Sequence, residues 1–312
     1  MPEFPEQTMG SFTIISDDLM LYAASDMKMY GEYLVILAQH NDRFLHIYDR
    51  RTGDRIARGL HHGRGPGEIM QVFFGFSLDS RNGDLFVFDP NAGKDVLLNV
   101  DSMVRGKHYV VESDRFDNNG VIAYHIVYPL PDESFITRLL RHERYRMIRD
   151  GEEIASYPTF PIEDRVLARL MYNHDVVSLS PDGKRMAVGT GFGAILETFD
   201  LRDGIRNIST SYFIEPKVDI KSDDIFWPTE ETINGFGTIY AGNDLVYTTF
   251  GGTSEPGFPK KIAIFDWYGN PVRLITTDSN IFRICVDEAD GTLYALIIDE
   301  HEELILARMD IY

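Results

Sequence analysis

The stretch Gly31-Glu32-Tyr33-Leu34-Val35-Ile36-Leu37, followed a few residues on by Tyr48-Asp49-Arg50-Arg51-Thr52-Gly53, holds the two signatures that organise the whole chain. The first is a turn that leads into an apolar run of strand length. The second is a strand that ends in an apolar residue plus Asp and runs into a glycine turn. Asp can hydrogen-bond the turn backbone and Gly takes φ > 0 without steric cost, which is what a tight hairpin requires.

Both signatures recur. The apolar-plus-Asp ending returns at Val100-Asp101, Phe199-Asp200, Phe265-Asp266 and Met309-Asp310, with a looser copy at Ile148-Arg149-Asp150, and successive Asp positions lie 52, 49, 50, 66 and 44 residues apart. The turn signature, roughly sixteen residues upstream, returns at Asn82-Gly83-Asp84, Pro131-Asp132-Glu133, Pro181-Asp182-Gly183-Lys184, Gly242-Asn243-Asp244 and Asp290-Gly291. Each copy leads into a strand-like run such as Leu85-Phe86-Val87-Phe88 or Leu245-Val246-Tyr247-Thr248. Two turn series thus count the same six units. A period near about fifty with up to about four short strands per unit is the spacing of propeller blades. The expected fold is therefore all-β: a six-bladed β-propeller with four-stranded blades, formed by residues 1–312 as a single domain.

The last unit offers three strands, Phe282 to Val286, Thr292 to Ile298 and Leu304 to Met309, so the outer fourth is expected from Ser11-Phe12-Thr13-Ile14-Ile15, closing the ring with the N-terminal strand and hiding an edge. Ile162 to Tyr172 reads as a loop helix between units three and four. The 66-residue spacing puts extra loop material in the fifth unit. There Phe226-Trp227-Pro228 and Phe250 to Pro259 read as exposed aromatic segments, and Glu255 to Lys260 as a surface loop joining the unit's second and third strands.

Composition agrees and excludes some partners. Hydrophobic residues make up 44% of the chain, enough for a core without staples, and 20 Phe, 16 Tyr and 26 Gly suit many short strands broken by tight turns. The balance of 30 Lys plus Arg against 49 Asp plus Glu, a net charge of −19, repels phosphate backbones, so nucleic acid is not an expected partner. No apolar stretch approaches the ~18 residues of a membrane span. The lone Cys285 excludes an internal disulfide and reads as a buried core thiol.

Gly63-Arg64-Gly65-Pro66-Gly67-Glu68, between the first two units, resembles the Gly-x-Gly-Pro-Gly-Glu motif of TolB-like six-bladed propellers of Bacteroidetes-type bacteria. Ser180-Pro181-Asp182-Gly183-Lys184 is similar to a turn found in TolB-type and other propeller blades. The resemblance covers six units in order. It implies a binding or scaffolding role, since most relatives have no assigned activity; no cofactor is expected. Family members usually carry an export or lipoprotein signal, whereas the start Met1-Pro2-Glu3-Phe4-Pro5-Glu6 has no basic and apolar signal regions. The expected compartment is periplasmic or surface-exposed if a signal was removed and cytoplasmic if this start is native.

Candidate chemistry is sparse. The 63–68 segment reads first as a blade-linking turn and second as an anion nest, because it lacks the lysine and helix of a P-loop. Gly189-Thr190-Gly191-Phe192-Gly193-Ala194 leads into a strand, which rules out a dinucleotide fingerprint. His61-His62 would point their rings to opposite faces of a strand. The run Arg138 to Arg149, five arginines and His142, reads first as a solvated hairpin tip and second as a contact for an anion or an acidic partner.

The leading functional expectation is a non-catalytic propeller, favoured as a monomer, that binds a protein, peptide or glycan through the loops of one face. Arg64, Glu68, Asn91, Arg141, His142, Trp227 and His301 are the candidate binding residues, although Arg64 and Glu68 read more readily as a lock between blades. The alternative is a lactonase-like, metal-dependent hydrolase with a divalent ion in the central channel, for which Asp42, Asp89, Asn91, Asn173 and Asp299 would be the kind of ligand available.

Overall fold

The computed structural model describes residues 2–21, 24–71, 76–78, 83–113, 115–116, 124–139, 144–173, 176–222 and 225–312. Contacts divide the chain into two compact units, Ile14–Tyr157 with Asp299–Ala307, and Met1–Thr13 with Pro158–Ile298 and Arg308–Tyr312. Two short strands come first, β1 (Glu6–Met9) and β2 (Thr13–Ser16).

The Ile14–Tyr157 segment holds three antiparallel meanders. The first is β3 (Asp26–Tyr30), β4 (Tyr33–His40), β5 (Arg43–Asp49) and β6 (Arg55–His61). The second is β7 (Phe76–Leu78), β8 (Leu85–Asp89), β9 (Lys94–Leu98) and, after the short helix α1 (Val100–Val104), β10 (Val110–Ser113). The third is β11 (Tyr124–Pro129), β12 (Phe135–Leu139), β13 (Tyr145–Arg149) and β14 (Glu152–Tyr157). Middle strands are covered on both faces, which explains their unbroken apolar runs: Leu34 to Leu37 are all buried, and Val35 and Leu37 join Leu85, Val87, Val96 and Leu98 in one cluster.

The apolar-plus-Asp ending acts as anticipated at β5. Asp49 Oδ1 accepts the backbone N–H of Arg51 and of Thr52, each at 2.8 Å, and these bonds hold its carboxyl below the usual range. Gly53 closes the turn at φ 75°, where a Cβ would meet Ile15 and Ser16 side chains at 2.8 Å. Asp200 and Asp266 do the same for Arg202 at 3.0 Å and Tyr268 at 2.8 Å. Val100-Asp101 is a correction to the series. The strand β9 stops at Leu98, and Asn99 then caps α1 by accepting from Ser102 N at 2.9 Å, so Asp101 lies in a helix rather than at a strand end.

From Pro158 onward the pattern continues. The helix α2 (Arg165–Asn173) lies where a loop helix was expected, and Asp164 caps it by accepting from Val166 N at 2.8 Å. A fourth meander comprises β15 (Val176–Leu179), β16 (Arg185–Gly189), β17 (Ala194–Asp200) and β18 (Arg206–Ile214). A two-stranded ribbon follows, β19 (Asp219–Ser222) with β20 (Ile225–Trp227). The fifth meander is β21 (Asn234–Ala241), β22 (Leu245–Thr253), β23 (Lys261–Asp266) and β24 (Pro271–Thr276). The last sheet runs β2, β27 (Leu304–Asp310), β26 (Thr292–Ile298), β25 (Asn280–Asp287), so the N-terminal strand supplies its outer member, shifted from the expected Ser11–Ile15.

Three further features differ from the sequence reading. The strand β1 adds to β24 in parallel register, Glu6 opposite Arg273 through Met9 opposite Thr276, making the fifth sheet five-stranded. Phe4, just before it, is buried with its ring 5.5 Å from that of Phe265. Phe250 is no exposed loop aromatic. The strand β22 runs on to Thr253, and Phe250 packs inside at 5.7 Å from the Phe236 ring. Cys285 is buried, as expected of a core thiol.

Candidate functional site

The Gly-rich turn after β6 is built as a lock. Glu68 Oε2 folds back to accept from Gly65 N at 2.8 Å, and an added Cβ at Gly63 would strike the same oxygen at 2.0 Å, so both glycines make room for that carboxylate. The turn is then fastened to the β8–β9 hairpin. Lys94 Nζ donates to Gly65 O at 3.0 Å, Met70 N donates to Asp89 Oδ2 at 2.6 Å, and the Asn91 amide donates to Gln71 Oε1. Asp89 is fully buried and also accepts from Asn91 N and Ala92 N at 3.0 and 3.1 Å. Glu68 and Asn91 are therefore engaged within the protein, and Arg64 is exposed on the rim of the turn.

Of the remaining candidates, Arg141 and His142 lie outside the described residues. The arginine run around them is not a solvated tip throughout, which corrects the first reading of it. Arg138 and Arg144 are buried, and the Arg144 guanidinium lies over the Tyr145 and Tyr157 rings at 5.2 and 5.6 Å. Arg146 pairs with Glu153 at 3.4 Å and Arg149 with Asp132. His61 and His62 part as a strand end requires: His61 turns to Arg43 and Asp42, whereas the His62 ring lies 6.0 Å from Phe44. His301 is exposed on the β26–β27 turn, which Asp299 organises by accepting from His301 N and Glu303 N at 2.9 and 2.8 Å. Among the described residues, no group of three or more His, Cys, Asp or Glu side chains is placed to hold a metal ion.

Trp227 stands on the ribbon that the sequence reading missed. Strand alternation sends Phe226 to one face, where its ring meets Phe192 edge-on at 5.5 Å, and sends Ile225 and Trp227 to the other, 51% and 60% exposed. The ribbon lies in the connection from β18 to β21, and Phe192 in the β16–β17 turn bridges to Asn234 at the start of β21. Gly193 N donates to Ile233 O and Gly235 N to Gly191 O, each at 2.8 Å. An added Cβ at Gly235 would lie 1.8 Å from Gly193 O, so the two backbones pack too closely for any side chain there.

Next to this junction is a cleft of about 590 Å³, lined among others by Phe192, Asn234, Phe258, Lys260, Lys261 and Asn280. Its outer wall is the β22–β23 loop, which joins the second and third strands of its sheet as anticipated. Of these residues the sequence reading singled out only the loop itself. A Lys-Lys pair entering a strand of an acidic chain was the available signal for the cleft.

Six successive sheets, five of them led by consecutive antiparallel meanders and the last completed by the N-terminal strand β2, define a six-bladed β-propeller. The chain belongs to the TolB-like 6-blade propeller-like family, whose profile matches residues 3–289. Among solved structures it is similar to a member of the DUF4221 family from Bacteroides vulgatus, with 12% identity and a TM-score of 0.58 over 97% of this chain and 99% of that one. It is also similar to the RRP9 WD40 repeats, with 13% identity and a TM-score of 0.52 over 92% and 79% of the two chains. The Cps50 (Swd1) β-propeller domain of Myceliophteria thermophila gives 12% identity and a TM-score of 0.51 over 97% and 100%. At these identities the likeness is one of fold. No curated protein matches the sequence. Among the described residues no helix is long and apolar enough to cross a membrane.

Proposed function

We propose that this propeller is a non-catalytic scaffold that binds a protein partner through loops at one end of its blades. The observation that carries the reading is the pair Ile225 and Trp227, large apolar side chains held exposed on a ribbon whose opposite face is already packed. Exposed Trp on an ordered element is a frequent anchor of protein interfaces, because it brings much contact area at little entropic cost. Arg64, Arg141, His142 and His301 are proposed as further polar contacts of such a partner, and Glu68 and Asn91 as supports of the turn that carries Arg64. Affinity capture with the wild type and with the Ile225→Ala/Trp227→Ala variant tests the reading. A partner retained by the first and lost by the second, at equal melting temperature, supports it, and equal retention removes the ribbon as the binding element.

A further inference from the structure

We propose that the cleft beside the ribbon receives an acidic stretch of extended polypeptide, with carboxylates set against Lys260 and Lys261 and an apolar side chain against Phe258. This rests on the reading that the loops bind a polypeptide, but it concerns a different surface from Ile225 and Trp227.

The cleft is built in advance of any ligand. Its outer loop is pinned at both ends: the Asn234 amide donates to Glu255 O at 2.9 Å, Ile281 N to Pro259 O at 2.9 Å, and Thr277 N to Lys260 O at 2.8 Å. Between the pins, Phe258 remains 45% exposed, yet its ring is steadied by an edge contact with Phe282 at 5.6 Å. A fixed apolar platform in a concave wall is what a bound side chain needs, because little order has to be imposed on binding.

Charge selects the ligand. Four of the six other lysines pair with acids among the described residues, Lys28 with Asp26 at 3.0 Å, Lys184 with Asp182 at 3.7 Å, Lys217 with Glu231 at 2.9 Å and Lys221 with Asp219, and a fifth, Lys94, bonds the Gly65 carbonyl. Among the described residues Lys260 and Lys261, which line the cleft, have no ion pair, and Glu255 is the one acidic residue that lines it with them. The overall charge of −19 opposes an anion only at long range, since screening at physiological ionic strength acts over about 8 Å and leaves the residues that line the cleft to decide. A neutral glycan could accept hydrogen bonds from that pair but has no charge to set against it, whereas a carboxylate makes the stronger charge-assisted bond.

The test uses the full chain and three probes: a fluorescein-labelled peptide Glu-Leu-Glu-Phe-Glu, its counterpart with Gln at every Glu, and laminarihexaose followed by calorimetry. The acidic peptide is expected to bind more tightly than the Gln peptide and to weaken with added salt. It should lose about fivefold in affinity for each of Lys260→Gln and Lys261→Gln, the scale of one partly exposed ion pair. Phe258→Ala should weaken both peptides. Equal affinity for the two peptides, or indifference to both lysine substitutions, overturns the inference. The peptide comparison on the wild type stands even if a variant fails to fold. Binding of the oligosaccharide alone, or of no probe, likewise overturns it. If partner capture still depends on Trp227 in that event, the scaffold reading survives, and if capture is indifferent as well, both fall.

Discussion

Lys94 Nζ donates a hydrogen bond to the carbonyl oxygen of Gly65 at 3.0 Å, so the Gly-rich turn after β6 is fastened to the first residue of β9. The motif thus joins consecutive sheets, and the joint has a second, buried fastening in Asp89. Asp89→Ala removes the acceptor for Met70, Asn91 and Ala92 N–H groups and should cost about 3 kcal/mol, lowering the melting temperature by several degrees. Lys94→Met, at a half-buried surface bond, should cost about 1 kcal/mol. Thermal melts of the two variants check the order, and a Lys94 effect larger than that of Asp89 would invert the account of the joint.

The N-terminal segment should contribute strongly to stability, because β1 pairs with β24, β2 is the outer strand of the last sheet, and Phe4 is 6% exposed against Phe265. Phe4→Ala should destabilise by about 3 kcal/mol through the lost burial and the cavity left behind. Deleting residues 1–16 should lower the melting temperature further still. A truncated chain that melts with the full-length protein would contradict the strand pairing.

His46 predicts an acid-side slope in stability. Burial lowers its pKa to about 4, against the Ala38 carbonyl bond at 3.1 Å that favours a proton and with nearby Arg55 reinforcing the loss. The unfolded imidazole titrates near ~6.5, so between that value and about 4 the unfolded chain binds the extra proton. The neutral ring's contribution is complete above about pH 6.5 and lost as pH falls towards 4, about 3 kcal/mol in total. His46→Gln, which keeps a donor for Ala38 O, should flatten this part of a denaturation-against-pH profile. An unchanged slope would assign it to other groups.

Limited proteolysis should begin in the exposed loop between its pins, around Pro256 and Gly257, or in the segment ahead of α2. Pro256 and Gly257 are exposed, and Gly257 has φ 137° with open space where a Cβ would stand, so a protease can approach there. Initial cutting within Leu245 to Tyr247, which is buried at Val246 and Tyr247 in β22, would contradict the sheet assignment.

The blades were legible in sequence because the turn chemistry is local: Asp49, Asp200 and Asp266 bond the backbone two residues on, and that need shows in the chain itself. The strand β1 was not, since Glu6-Gln7-Thr8-Met9 is exposed along its length and carries no alternation to read. The ribbon escaped for a similar reason, as Asp219-Ile220-Lys221-Ser222 looks like a loop until it is paired with Ile225–Trp227. Arg144 misled the reading because burial of a guanidinium depends on the Tyr145 and Tyr157 rings it meets, and the second of these arrives from the next strand. Trp227 was found as an exposed aromatic, while Lys260 and Lys261 show in sequence only as a basic pair, and the cleft they line takes other residues, Phe192 and Asn234, from far back in the chain.

The most direct test of the scaffold reading is the affinity of a captured partner for the wild type and for Ile225→Ala/Trp227→Ala, measured beside the melting temperatures of both. The two side chains are exposed, so their removal should leave stability within about 1 kcal/mol. It should weaken the partner by about a hundredfold, the scale of losing an interface anchor. Undiminished affinity in the folded variant would contradict the account.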